Sequence, residues 1–153
     1  MDLAARLAAD LKAAMREQDA LRRDTLRMVI SAAHNAEKAA RRPLTEDELV
    51  AVLVREVKTR RESIDAFTQA GRPDLAAREQ AEAEMLAAYL PAALSEDELR
   101  ALVLAAIDEA GATGPRDMGR VMGLLTPRTR GRADGRAVSA LVTAELGRRA
   151  SGG

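Results

Sequence analysis

Leu3, Leu7, Leu11 and Met15 recur every fourth residue, flanked by Ala4, Ala8 and Ala14. That spacing lays one apolar stripe along a helix and predicts a first helix from about Asp2 to Arg16, with Asp2 at its capping end. The phase breaks at Glu17-Gln18-Asp19, which predicts a turn. Leu21, Thr25, Met28, Val29 and Ala32 then make the buried side of a second helix, which closes in the basic run Lys38 to Arg42 before Pro43. Leu44-Thr45-Glu46-Asp47-Glu48-Leu49 is a helix start. Thr45 is the N-cap, Glu48 completes a capping box, and Leu44 and Leu49 are spaced as a hydrophobic staple. The third helix keeps its phase through Val50, Leu53, Val57, Ile64 and Phe67 to Gly71, a C-terminal cap, with Glu56–Arg60 and Arg61–Asp65 on its outer face. A fourth, from Pro73 to Tyr89, turns Leu75, Ala83, Leu86 and Leu90 inward and ends at Pro91.

The start signal recurs at Leu94-Ser95-Glu96-Asp97-Glu98-Leu99. The echo lasts six residues, so it is one good helix start used twice rather than a duplicated domain. Beyond it, Leu99, Leu102, Val103 and Ile107 predict a short helix closed by Gly111. Pro115 to Leu125 predicts another, carrying Met118, Val121, Met122 and Leu125 and stopped by Pro127. Asp134 starts a last helix with Val138, Leu141, Val142 and Leu146. The expectation is an all-α protein: a four-helix bundle or hairpin domain over residues 1–91, a three-helix domain over 95–149, and a disordered tail at 150–153. Some 55 residues lie near the lower limit for a core that folds alone.

Composition sharpens this picture. Of 153 residues 47% are apolar, yet there is one Tyr, one Phe and no Trp, so the core is built from small aliphatic side chains suited to close helix packing. The absence of cysteine excludes disulfides, thiolate nucleophiles and Cys-based zinc sites. No run approaches the ~18–20 apolar residues of a membrane span, and the chain opens directly into amphipathic helix, so a soluble, cytoplasmic protein is expected. His34 is the only histidine and has no second ligand to work with. The serines lack a nucleophile-elbow context. The carboxylate clusters Glu46–Glu48 and Glu96–Glu98 sit where helix starts favour acids. No catalytic residue, cofactor site or metal site is expected.

Charge singles out one region. Residues 1–110 carry 16 basic and 21 acidic side chains, whereas residues 111–153 carry 8 and 3. The basic positions cluster as Arg116, Arg120, Arg128, Arg130, Arg132 and Arg136, the last four in the run PRTRGRADGR, read as an extended loop leading into a helix N-terminus at Asp134. Guanidinium groups grip phosphate through paired bonds, and helix starts favour anions. Gly131 and Gly135 allow a close backbone approach. Gly119-x-x-x-Gly123 reads as a site of close helix contact. With no aromatic residue nearby for base stacking, shape and phosphate recognition of structured RNA fits these residues better than single-strand reading. The other reading of the same charges is a basic end resting on the chain's own acidic helices.

The run DMGRVMGLLTPRTRGRADGRAVSALV, Asp117 to Val142, resembles the signature of the GatB/YqeY tail domain. REVKTRRESIDAFTQAGRPDL (Arg55 to Leu75) and AEMLAAYLPAALSEDEL (Ala83 to Leu99) resemble the N-terminal part of stand-alone YqeY-like proteins. The resemblance implies an all-helical protein of two parts. It also implies a relation to the tail of the GatB subunit of the glutamine-dependent aspartyl/glutamyl-tRNA amidotransferase, which contacts tRNA away from the catalytic centre. Stand-alone relatives are labelled carbon–nitrogen ligases with glutamine as amido-N donor, yet no counterpart of the amidotransferase's catalytic parts is visible in this sequence. Three functions stand as expectations. The first is a non-catalytic binder of tRNA or other structured RNA, using Arg116, Arg120, Arg128, Arg130, Gly131, Arg132, Gly135 and Arg136. The second is a glutamine-dependent amide transferase or its accessory. The third is a protein-interaction module on the Thr45–Tyr89 hairpin.

Overall fold

The computed structural model describes residues 2–152 and is helical throughout its regular structure. It divides into two compact units, Met1–Leu90 and Pro91–Gly153. The first holds α1 (Leu3–Arg16), α2 (Ala20–Ala40), α3 (Glu46–Gln69) and α4 (Pro73–Ala87). The second holds α5 (Glu96–Ala110), a single 3₁₀ turn (Pro115–Asp117), α6 (Met118–Thr129) and α7 (Gly135–Gly152).

Local chemistry sets the helix starts of the first unit. The Asp2 carboxylate accepts from Ala5 N–H at 2.8 Å, and Asp19 accepts from Arg22 N–H at 3.1 Å. Thr45 forms the full capping box, its hydroxyl accepting from Glu48 N–H while the Glu48 carboxylate accepts from Thr45 N–H. Glu46 also accepts from Leu3 N–H at 3.0 Å, fastening the start of α1 to the start of α3. Gly71, with φ of 70°, turns the chain from α3 into α4, the most extensive helix pair in the molecule. Leu3, Leu7, Leu26, Val29, Leu49, Leu53, Val57 and Leu86 form the core of the unit.

Three positions of this unit depart from the periodic reading. Met15 and Met28 are 49% and 55% exposed, while Ala14 and Leu26 are fully buried in their place. The buried side of α2 is Thr25, Leu26 and Val29, two of them in the expected stripe and Leu26 in place of Met28. Arg60 is the third. Expected on the outer face of α3, it is only 3% exposed and pairs with Glu56 at 2.7 Å. Its guanidinium also donates to the Glu56 carbonyl at 3.1 Å and lies 3.6 Å from the sulfur of Met28. Met28 is thus drawn out of the core stripe to cover a buried cation. Glu82 of α4 completes the group, accepting from the Thr25 hydroxyl at 3.0 Å and standing 3.9 Å from Arg60 Nε.

In the second unit Ser95 caps α5 by accepting from Glu98 N–H at 3.1 Å, and Gly111, with φ of 64°, closes it. Val103, Ala106, Ile107, Ala112, Val121, Leu125, Val138, Val142 and Leu146 make a separate aliphatic core. Pro127 does not stop α6, which continues to Thr129. A proline removes one helical N–H, but the last turn is held by other means. Arg130 N–H donates to the Thr126 carbonyl at 3.0 Å, and the hydroxyl of buried Thr129 donates to the Leu125 carbonyl at 3.2 Å. At the far end α7 stays helical to Gly152 where a disordered tail from Ala150 was expected, and Gly153 lies outside the described residues. Arg149 is tied to Asp108 at 2.6 Å, and Ala150 lies beside Gly114, so this last turn has tertiary support.

Candidate functional site

The basic region is built on the end of α5. Asp108 and Glu109 place two negative charges in its last turn, where the helix dipole is also negative. Such an end needs cations, and three arrive from the two following helices. Arg128 reaches Glu109 at 2.7 Å, and Arg149 reaches Asp108 at 2.6 Å. Arg120 donates to the terminal carbonyl of Ala110 at 3.1 Å and pairs with Asp117. Asp117 in turn accepts from Thr113 N–H at 2.9 Å and shapes the loop that leads into α6. The Thr113 N–H, and next the Arg120 guanidinium, hold the Asp117 carboxyl below the usual carboxylate range.

The run PRTRGRADGR is not an extended loop. Its first three residues finish α6, and only Arg130 to Asp134 lie between helices. There Arg132 and Ala133 N–H both donate to the Thr129 carbonyl, at 2.9 and 3.1 Å, and Gly131 takes φ of 74°. Because the segment is a tight turn, its arginines do not alternate along a strand. Arg132 faces the segment entering the unit, its Nε donating to the Ala92 carbonyl at 3.2 Å while its own carbonyl accepts from Leu94 N–H at 2.8 Å. Arg130 is half-buried at the head of the turn. Asp134 precedes α7, and its carbonyl accepts from Val138 N–H at 3.0 Å.

Arg116, on the 3₁₀ turn, and Arg136, in the first turn of α7, are exposed and make no hydrogen bond or ion pair among the described residues. Three glycines of the same unit leave bare backbone at its surface. Gly119 and Gly123 lie one turn apart on the exposed face of α6, and Gly135 opens α7. A Cβ added at any of the three would meet nothing within 4 Å. The Gly119–Gly123 pair therefore makes no close helix contact inside this unit. The chain's own packing does not require these glycines, although Gly123, in the middle of α6, costs about 0.5–1 kcal/mol against alanine.

The sequence reading missed Arg149 and the two acids it helps to neutralise. The signal was present: Asp108 and Glu109 stand just before a glycine cap, where acids are unfavourable unless cations reach them. His34 stands in the first unit, with its side chain 67% exposed and Nδ1 3.3 Å from Glu37.

Residues 4–146 match the family model described as Yqey-like protein. The chain belongs to the YqeY-like family. It is 35% identical over 131 residues to Altered inheritance of mitochondria protein 41, mitochondrial, of Pyrenophora tritici-repentis, a match covering 84% of this chain and 71% of that protein. The proteins of the same name from Eremothecium gossypii and Lachancea thermotolerans are 36% and 35% identical, over 73% and 75% of this chain. The matches cover 63% of the length of each of those two relatives. The YqeY-like match takes in the second core cluster and all of the first but Leu3. No helix among the described residues is long and apolar enough to cross a membrane.

Proposed function

We propose that this YqeY-like chain is a non-catalytic binding protein whose C-terminal unit docks on structured RNA, with tRNA the first candidate. The observation that carries the reading is that the second unit presents two exposed, unpartnered arginines, Arg116 and Arg136, and bare backbone at Gly119, Gly123 and Gly135. Guanidinium groups without a carboxylate are ready to take phosphate, and a helix face without side chains lets a sugar–phosphate backbone come close. The resemblance of Asp117–Val142 to the amidotransferase tail supports tRNA as the form of RNA. Arg120 and Arg128 belong to a second set, because a phosphate must compete with Asp117 and Glu109 to engage them.

The test is an electrophoretic mobility shift with tRNA across a salt series. Binding should weaken steeply with salt, and Arg116→Ala with Arg136→Ala should flatten the slope by about one unit for each phosphate no longer engaged. Absence of a shift at low salt, or a slope unchanged in the double variant, sinks the reading. The cytoplasmic location is also a proposal, and it stands beside the mitochondrial names of the three fungal relatives. Cell fractionation of the native source decides between the two compartments.

A further inference from the structure

Met28 and Met15 are the exposed large apolar side chains, 55% and 49% open to solvent. Met85, Met118 and Met122 are partly buried against the two cores. Peroxides oxidise a thioether sulfur where they can reach it, so positions 15 and 28 are met before these others.

The two sulfurs have different neighbours. That of Met15 lies 4.0 Å from Nη2 of Arg27, an exposed arginine whose N–H groups water can serve. That of Met28 accepts from Nη2 of Arg60 at 3.6 Å, and Arg60 is only 3% exposed. A guanidinium carries N–H donors on all three nitrogens, and buried ones depend on acceptors from the protein. Nη1 of Arg60 is well supplied, donating to the Glu56 carbonyl at 3.1 Å and its carboxylate at 2.7 Å. Nη2 has the Met28 sulfur, which is a weak acceptor. Nε is buried and finds no hydrogen-bond partner among the described residues, with the Glu82 carboxylate 3.9 Å away. The Nε–Nη2 edge of a buried cation is thus short of acceptors, and the side chain that Nη2 meets is an exposed thioether.

We propose that Met28 is a site of oxidation by peroxide and that Arg60 receives the oxygen of its sulfoxide. A sulfur lone pair attacks one oxygen of hydrogen peroxide, and the S–O bond forms as the O–O bond breaks. The departing hydroxide takes the proton of the transferred oxygen and leaves as water, so the sulfur is oxidised and the peroxide reduced. Rotation of the flexible side chain turns the new oxygen to Nη2, where a charge-assisted bond replaces the N–H···S contact. Sulfoxide formation ordinarily disrupts the packing around a methionine. At Met28 it supplies the acceptor that the buried cation lacks and tightens the junction of α2 with α3. Met15 gains nothing, because its arginine has water. This site lies wholly in the first unit and is independent of the RNA reading.

The test is brief treatment of the full-length protein with hydrogen peroxide, read by peptide mass spectrometry. Met15 and Met28 should be oxidised ahead of Met85, Met118 and Met122. The partly oxidised mixture is then held in urea near its unfolding midpoint, and a pulse of protease digests the unfolded molecules. The ratio of oxidised to reduced Met28 should be about tenfold higher in the surviving native fraction than in the digested one. The ratio for Met15 should be nearly equal in the two. In Arg60→Met with Glu82→Gln the enrichment at position 28 should vanish. Met28→Gln holds an amide oxygen where the sulfoxide carries its own, and it should unfold at higher urea than Met28→Leu with no oxidant present. The proposal fails if Met28 stays reduced while Met15 is oxidised, or if its sulfoxide is not enriched in the native fraction. It fails equally if the enrichment survives without Arg60, or if Met28→Gln is no more stable than Met28→Leu.

Discussion

One group of arginines in each unit is held in the opposite way to the other. In the first, Arg60 is 3% exposed and locked among Glu56, Glu82, Thr25 and Met28. In the second, Arg120, Arg128 and Arg149 lie on the surface around the last turn of α5, with side-chain exposures of 63%, 38% and 37%. A buried charge has given up water and depends on every partner it keeps, so its group behaves as one element of the fold. An exposed pair in water is worth little, so its carboxylate can be exchanged for another anion. The same residue type is thus a buried fastener at Arg60 and an exposed, weakly held partner at the end of α5.

Glu56→Gln gives the largest test of this contrast. It leaves Arg60 buried without its closest countercharge and should lower stability by about 3 kcal/mol in urea unfolding. Arg60→Met together with Glu82→Gln, which removes the buried charges instead of stranding one, should cost less than half as much. Similar losses for the two would mean that packing, not charge, governs this junction.

Tyr89 gives a sharper but smaller signal, because it is the only tyrosine. Its hydroxyl donates to Asp10, and Arg6 lies 5.2 Å from the centre of its ring. Burial, followed by the neighbouring Asp10 carboxylate, pushes the phenol up to about 12 from an ordinary 10.0. The raised value favours the protonated form in the folded state. Its contribution should be complete below pH 10 and lost as pH rises toward 12. Tyrosinate absorbance should therefore titrate near 12 in the native chain, and Asp10→Asn should bring the midpoint down. A native midpoint at 10 would show that the ring is not held as described.

The smallest effect is expected at the surface of the second unit. Arg128→Ala breaks the pair with Glu109 and should cost less than about 1 kcal/mol, shrinking further in high salt. A loss as large as that of Glu56→Gln would erase the distinction between the two sets of arginines.

The helix starts were legible at Thr45 and Ser95 because a cap is settled among four consecutive residues, complete before any tertiary contact forms. Gly71 and Gly111 were legible as stops for a similar reason, since a left-handed residue after a helix favours glycine. Arg60 and Met28 were not. Both stand at positions that helical periodicity treats as ordinary, and their exchange of places depends on Glu82, supplied by another helix. Pro127 misled because the rule that proline ends a helix is local, while Thr129 holds the last turn through its packing. Of the candidate interface, the chain showed which arginines exist. It could not show that Arg128 and Arg120 lean on α5, that Arg132 faces Ala92, or that Arg116 and Arg136 stand alone.

By itself, then, the order of residues determined an all-helical protein, the positions of its capped starts and glycine stops, and a concentration of positive charge after Gly111. Those features depend on neighbours within about one helical turn, where hydrogen bonding and periodicity act directly. Tertiary structure alone decided which cations are taken up by the protein's own carboxylates and which stay exposed. Ion pairs such as Arg128–Glu109 and Arg149–Asp108 join residues 19 and 41 positions apart, and only the packed helices bring their ends together.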